Sequence, residues 1–174
     1  MVSKVLKYGS TLLRKQSVEI TKADNITQLS DNLFDTLKKE GGIGLAAPQI
    51  GVLKRAFVMD SNPIAEDDES VEKFKRLVIN PQIISRSQET ILYSEGCLSI
   101  PGIYEEVERP KSITVNYLDE SFTPVERKVN GIEARIFQHE YDHLEGILFV
   151  DRVSPIRKSL LSSKLKKIMR QFAK

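Results

Sequence analysis

The sequence predicts an α+β domain, with sheets packed around one internal helix and a further helix at the C-terminal end. Three observations carry that expectation. Apolar residues recur at helical spacing over about 25–40, β-branched runs fill much of 76–129, and a second helical stretch, 130–144, lies between a capping asparagine and a glycine.

Ile26, Leu29, Leu33 and Leu37 mark one face of the first helix, and Gly41-Gly42 supplies its stop. GGIGLAAPQIG, at 41–51, is too rich in small residues for a regular element. AFVMD, at 56–60, reads as a short strand. SNPIAEDDESVE, at 61–72, is polar and acidic with a proline near its start, so an exposed loop is expected. RLVIN, QIIS and ETILYS then place strands within 76–98, and SITVNYLDESFTPVERKV, at 112–129, reads as a hairpin turning near Asp119-Glu120. Asn130 is a candidate N-cap for a helix running to about Leu144, which Gly146 would end. Ser154-Pro155 opens the last helix, whose apolar stripe is Ile156, Leu160, Leu161, Leu165, Ile168 and Phe172.

A chain of 174 residues suits one domain with its own core. Its mean hydropathy of -0.27 fits a water-soluble protein, and no apolar run approaches the roughly 20 residues of a membrane-spanning helix. MVSKVLKYGS at the start lacks the apolar run and cleavage site of an export signal. The single cysteine forms no internal disulfide, which fits a reducing cytoplasm. The net charge of +2 hides a segregation. From Pro155 onward there are seven basic residues and no acidic one, leaving 19 basic against 24 acidic, a net of -5, over 1–154.

The only two histidines, His139 and His143, stand four residues apart in FQHEYDHLEG. On a helix they share one face, so both imidazoles could reach one metal ion with Glu140 beside them as a general base. Ile132 and Ile136 continue that face backwards, which would put the metal at the wall of a buried pocket. The competing reading is a pair of ordinary surface histidines in a charged helix. A catalytic metal site of this kind needs a third protein ligand. Glu145 lies off the histidine face, and Asp151 could serve only if the chain doubles back after Gly146. Cys97 sits in EGCLSIPG at the end of a predicted strand. A small buried apolar residue and a nucleophile paired with histidine are the other readings of that thiol.

GIGLAAPQ (42–49), EGCLS (95–99) and QHEYDH (138–143) resemble, in order, the three motifs of the peptide deformylase family. HLEGILFVDR continues the third, and the resemblance runs from the first helix to Arg152. It implies an α+β fold whose central helix carries the histidines against mixed or antiparallel sheets. It implies a ferrous ion held by Cys97, His139 and His143, with Glu140 as acid/base and Gln49 and the Leu98 N–H holding the oxyanion. It also implies removal of the formyl group from formylmethionine on new polypeptides, with zinc, nickel or cobalt suiting the same donors. Gly44 and Gly96 would let a peptide backbone approach, and Ile43, Ile132 and Ile136 are candidates for the first-residue pocket. The implied organisation is a catalytic domain over 1–154 with a basic helix, 155–174, packed on it, working as a monomer with no membrane partner. Two positions depart from the family pattern. KYGSTLLRK lacks a Pro-Asp-Pro-like turn, and Tyr104 stands where some relatives carry a substrate-contacting arginine.

Two rival expectations stay open on the sequence. One is a metallopeptidase with Asp151 as third ligand, and the other is a metal-stabilised or ribosome-associated module without turnover. The basic C-terminal helix suggests docking on ribosomal RNA, since clustered lysine and arginine give salt-sensitive affinity for phosphate. Glu95 and Arg109 are a candidate pair bracing the Cys97 loop.

Overall fold

Asn25 leads the chain into α1 (Ile26–Glu40) by accepting the Gln28 N–H on its side-chain oxygen at 3.1 Å. Gly41 ends the helix at φ 69°, a left-handed position that glycine takes without steric cost. The small residues after it do form a regular element, contrary to expectation. Gly44–Ala46 is β1, paired antiparallel with β2 (Ala56–Asp60), and Ala47–Ile50 is a 3₁₀ turn. The 61–72 stretch is only partly the exposed loop expected. Asn62–Ala65 forms a short helix, α2, and Ser61 is buried, where its hydroxyl donates to Glu72 O and accepts the Phe74 N–H.

β3 (Lys75–Arg86) and β4 (Thr90–Cys97) account for the β-branched runs. β5 (Ile100–Pro110) was not foreseen and pairs antiparallel with β4. β6 (Ser112–Leu118) and β7 (Pro124–Asn130) form the expected hairpin. α3 spans Gly131–Leu144. Asn130 precedes it in extended conformation without making a side-chain cap bond. α4 (Pro155–Phe172) begins where Ser154 Oγ accepts the Arg157 N–H at 3.3 Å.

The computed structural model describes residues 1–172. One sheet has strand order β1-β2-β3-β6-β7 and the other is the β4-β5 hairpin, all paired antiparallel. AFVMD works as a strand because both of its faces are covered. Phe57 and Met59 pack with Ile136 and Phe137 of α3, the Phe57 and Phe137 rings meeting edge-on at 5.0 Å. Ala56 and Val58 face Leu33 and Leu37 of α1. Each such side chain contributes about 1.5–3 kcal/mol when fully buried, so α3 is anchored where its outward residues meet the β4-β5 hairpin. On α4, Leu161, Leu165 and Ile168 pack on Ile100, Ile103 and Val107 of β5, but Ile156 and Leu160 are exposed. At about 100° per residue the six apolar residues spread over an arc wider than one contact face, and the expected single stripe is cut to its inner part.

Among the described residues, no helix is long and apolar enough to cross a membrane.

Candidate metal centre

The end of β4 brings Cys97 against α3, where His139 and His143 stand one turn apart with ring centroids at 5.2 Å. The ligand atoms of these three residues lie within 4.8 Å of one another, and Cys97 Sγ is 3.3 Å from His143 Nε2. His139 donates through Nδ1 to Glu95 Oε2 at 2.8 Å, which leaves Nε2 turned to the cluster. Burial opposes charge on both rings. In His139 hydrogen bonds to Cys97 and Glu95 outweigh it and hold the pKa well above the ordinary value. In His143 burial, reinforced by the positive His139, holds it well below. One soft thiol and two imidazoles converging on one point, with His139 giving up the proton that Cys97 and Glu95 hold on it, suit a divalent transition metal, so the residues fit the ion.

Glu95 is the hub behind the ligands. Arg109 Nε and Nη2 grip its carboxylate at 2.6 and 2.9 Å, and Arg135 adds a bond at 2.8 Å. Burial alone would raise its pKa, but the Arg109 and His139 bonds push it far below the usual range. The pairing of Glu95 with Arg109 is the brace expected from the sequence. Sequence reasoning missed its continuation through Asp142, which binds Arg109 at 2.7 Å and Arg152 at 2.5 Å. The available signal was charge on the buried face of α3.

Glu140 is 4 % exposed, one of its carboxylate oxygens has no partner, and burial raises its pKa to about 7. A side-chain carbon on Gly44 would collide with that carboxyl, so this glycine makes room for Glu140 as well as lying along the cavity. Gln49 is fully buried, with Oε1 held by the Ala46 N–H at 2.8 Å. Its Nε2 donates to Ser99 Oγ at 3.1 Å and faces Cys97 Sγ at 3.5 Å.

These groups line a cavity of about 490 Å³. Leu98 and Gly96 form one wall beside Cys97, Ile43 and Gly44 lie across from them, and Ile132 and Ile136 close the α3 side. His143 alone of the predicted site residues lies behind that wall, 1 % exposed. Ile136 is also 3 % exposed within the main core, so packing accounts for much of its apolar character. The Tyr104 ring lies across Gly96, 2.5 Å from where a side-chain carbon would sit.

The rival ligands are engaged elsewhere. Asp151 pairs with Arg14 and Lys158 and accepts the Leu148 N–H, while Glu145 pairs with Arg55 and Gln16.

Residues 2–159 match the family model described as Polypeptide deformylase. The chain belongs to that family. It is 43% identical over 175 residues to the peptide deformylase of Pseudothermotoga lettingae, covering 100% of this chain and 96% of that one. It is 42% identical over 176 residues to that of Christiangramia forsetii, covering 97% and 90%. Among solved structures, peptide deformylase from Plasmodium falciparum superposes with a TM-score of 0.88 at 36% identity, covering 98% of this chain and 97% of that one. The Thermotoga maritima structure gives 0.81 at 39% identity, covering 89% and 99%.

Proposed function

We propose that this chain is a metal-dependent hydrolase that removes the formyl group from the N-terminal formylmethionine of nascent polypeptides and releases formate. One observation supports it most. A thiol, an imidazole and a buried carboxyl with raised pKa line one cavity, and a second imidazole meets the thiol just behind its wall, in a member of the polypeptide deformylase family.

Cys97, His139 and His143 are the assigned ligands of one divalent ion per chain. Such an ion supplies Lewis acidity, making water acidic near neutral pH and polarising a carbonyl. Glu140 takes the proton of the attacking water and hands it to the leaving nitrogen as the formyl C–N bond breaks, a role worth about 10²–10⁴-fold. Gln49 Nε2 and the Leu98 N–H hold the negative charge on the former formyl oxygen, where losing one donor costs about 10²–10³-fold. Ile43, Ile132 and Ile136 supply an apolar wall for the methionine side chain. Gly44 and Gly96 offer backbone for main-chain pairing, which reads little of the downstream sequence.

Ferrous iron is the assigned native ion, and Zn²⁺, Ni²⁺ or Co²⁺ suit the same donors in preparations. With iron, activity decays in air and survives anaerobically, because oxygen attacks both the ion and the half-buried sulfur of Cys97. Equal half-lives would assign another metal. A lone thiol serving as ligand suits a reducing cytoplasm, and the chain acts there as a monomer. Residues 1–154 are the catalytic domain, and the basic segment 155–174, helical over Pro155–Phe172 with 173–174 outside the described residues, docks on ribosomal RNA.

Release of the free methionyl amine from formyl-Met-Ala, measured beside acetyl-Met-Ala, tests the activity. Release from the formyl peptide alone supports it, and none from either peptide by metal-loaded protein overturns it.

A further inference from the structure

Three consecutive residues near the N-terminus stitch together the two segments that carry the assigned oxyanion donors. The Leu6 N–H donates to Gln49 C=O at 2.7 Å, and the Tyr8 N–H donates to Ser99 C=O at 2.8 Å. Between them, the Lys7 ammonium donates to Leu98 C=O at 2.8 Å. Gln49 comes from the 3₁₀ turn after β1, and Leu98 from the tight connection between β4 and β5. The β4-β5 register shifts at Glu95/Cys97, just ahead of that connection.

Lys7 is half-buried, lines the catalytic cavity and forms no ion pair among the described residues. Ordering a lysine side chain costs rotamer entropy. No carboxylate offsets that cost here, so an isolated stabilising contact is a poor account of its placement. What the ammonium does hold is one peptide plane. With both the Leu98 and Ser99 carbonyls gripped from the same segment, the turn has little freedom to rotate. The Leu98 N–H, on the preceding peptide, takes its direction from that fixed turn. Oxyanion donors act only within a narrow geometric window, and a displacement near 1 Å can cost about 10²-fold.

We infer that Lys7 is a positioning residue for the oxyanion site, fixing the Leu98 turn through the Leu98 carbonyl. The inference rests on Gln49 and Leu98 being the oxyanion donors. It concerns the chemical step, so its signature is a change in kcat with KM preserved.

The test compares wild type, Lys7→Met, Lys7→Arg and Gln49→Ala, all metal-loaded, on a formyl-Met peptide, with metal content and Tm measured on each. Lys7→Met keeps the length of the side chain and removes the donor. It should lower kcat about 10-fold with KM within about twofold of wild type and metal content and Tm unchanged. Lys7→Arg, which restores a cationic donor, should recover most of the loss. Wild-type kcat in Lys7→Met, a change confined to KM, or a loss that tracks metal content or Tm and is equal in Lys7→Arg each overturns the role of Lys7. Wild-type kcat in Gln49→Ala instead overturns the oxyanion assignment beneath it.

Discussion

Glu140 shows at the scale of one residue how the site trades stability for chemistry. Its folded pKa, about 7, lies above the ordinary 4.5 because burial penalises the charge. The folded state therefore holds this proton longer than the unfolded chain does. The stability that the neutral carboxyl supplies is complete below about pH 4.5 and is lost as pH rises through about 7. Metal-free Glu140→Gln should accordingly exceed metal-free wild type by about 3 kcal/mol at pH 8, with the gap closing near pH 4.5. Urea unfolding at the two pH values checks this, and an equal gap at both contradicts it. The same substitution should leave metal binding intact while formate release collapses, because the proposed role of Glu140 is proton transfer and not ligation. Glu95→Gln should do the reverse of that split. It loosens the partner of His139, and such outer partners are worth about 10–100-fold in metal affinity, which chelator competition reads directly. Unchanged affinity would mean that the buried network serves only the fold.

α3 is the element on which fold and site meet, and its exit is a tightly constrained turn. Gly146 sits at φ 71°, and a side-chain carbon there would lie 2.6 Å from Arg14 O. Gly131, at the other end, also has positive φ, 55°, but nothing near it. Gly146→Ala should therefore cost about 2 kcal/mol or more, and clearly more than Gly131→Ala. Equal losses in Tm would show that only the backbone angle matters. Much of this layout was legible in the residues, because α1, β2, the β6-β7 hairpin and α3 each carry their own period and stops. β5 was not. Its buried positions are Ile100, Ile103, Glu105, Val107 and Arg109, so two of the five are ions whose partners lie on other elements. β1 escaped notice because a three-residue Gly-Leu-Ala stretch becomes a strand only when β2 is there to pair with it. The same division holds for the site. Cys97, His139, Glu140, His143 and Gln49 are chemically distinctive and sit in motifs, whereas Asp142 and Lys7 matter only through contacts distant in sequence.

For the whole molecule, the segregated charge gives α4 a face of its own. Leu161, Leu165 and Ile168 point inward, while Lys164, Lys167 and Arg170 are exposed beside the exposed aliphatic residues Ile156 and Leu160. Arg157 ties the helix to Glu105 of β5 through two bonds of 2.9 Å, so the helix is fastened to the hairpin that carries Cys97. Reversing Lys164, Lys167 and Arg170 to Glu should leave hydrolysis of a short formyl-Met peptide nearly unchanged and weaken co-sedimentation with ribosomes at low salt. Pelleting equal to wild type would leave the helix as packing alone. The central claim is that Cys97, His139 and His143 hold one catalytic ion, and anaerobic reconstitution tests it most directly. Metal-free wild type and Cys97→Ala are titrated with ferrous ion while bound metal and formate release from formyl-Met-Ala are followed together. Wild type should gain activity in proportion to bound metal until one ion per chain, and Cys97→Ala should neither hold the ion tightly nor release formate. Tight binding of one ion by Cys97→Ala, or full formate release by metal-free wild type, would contradict the account.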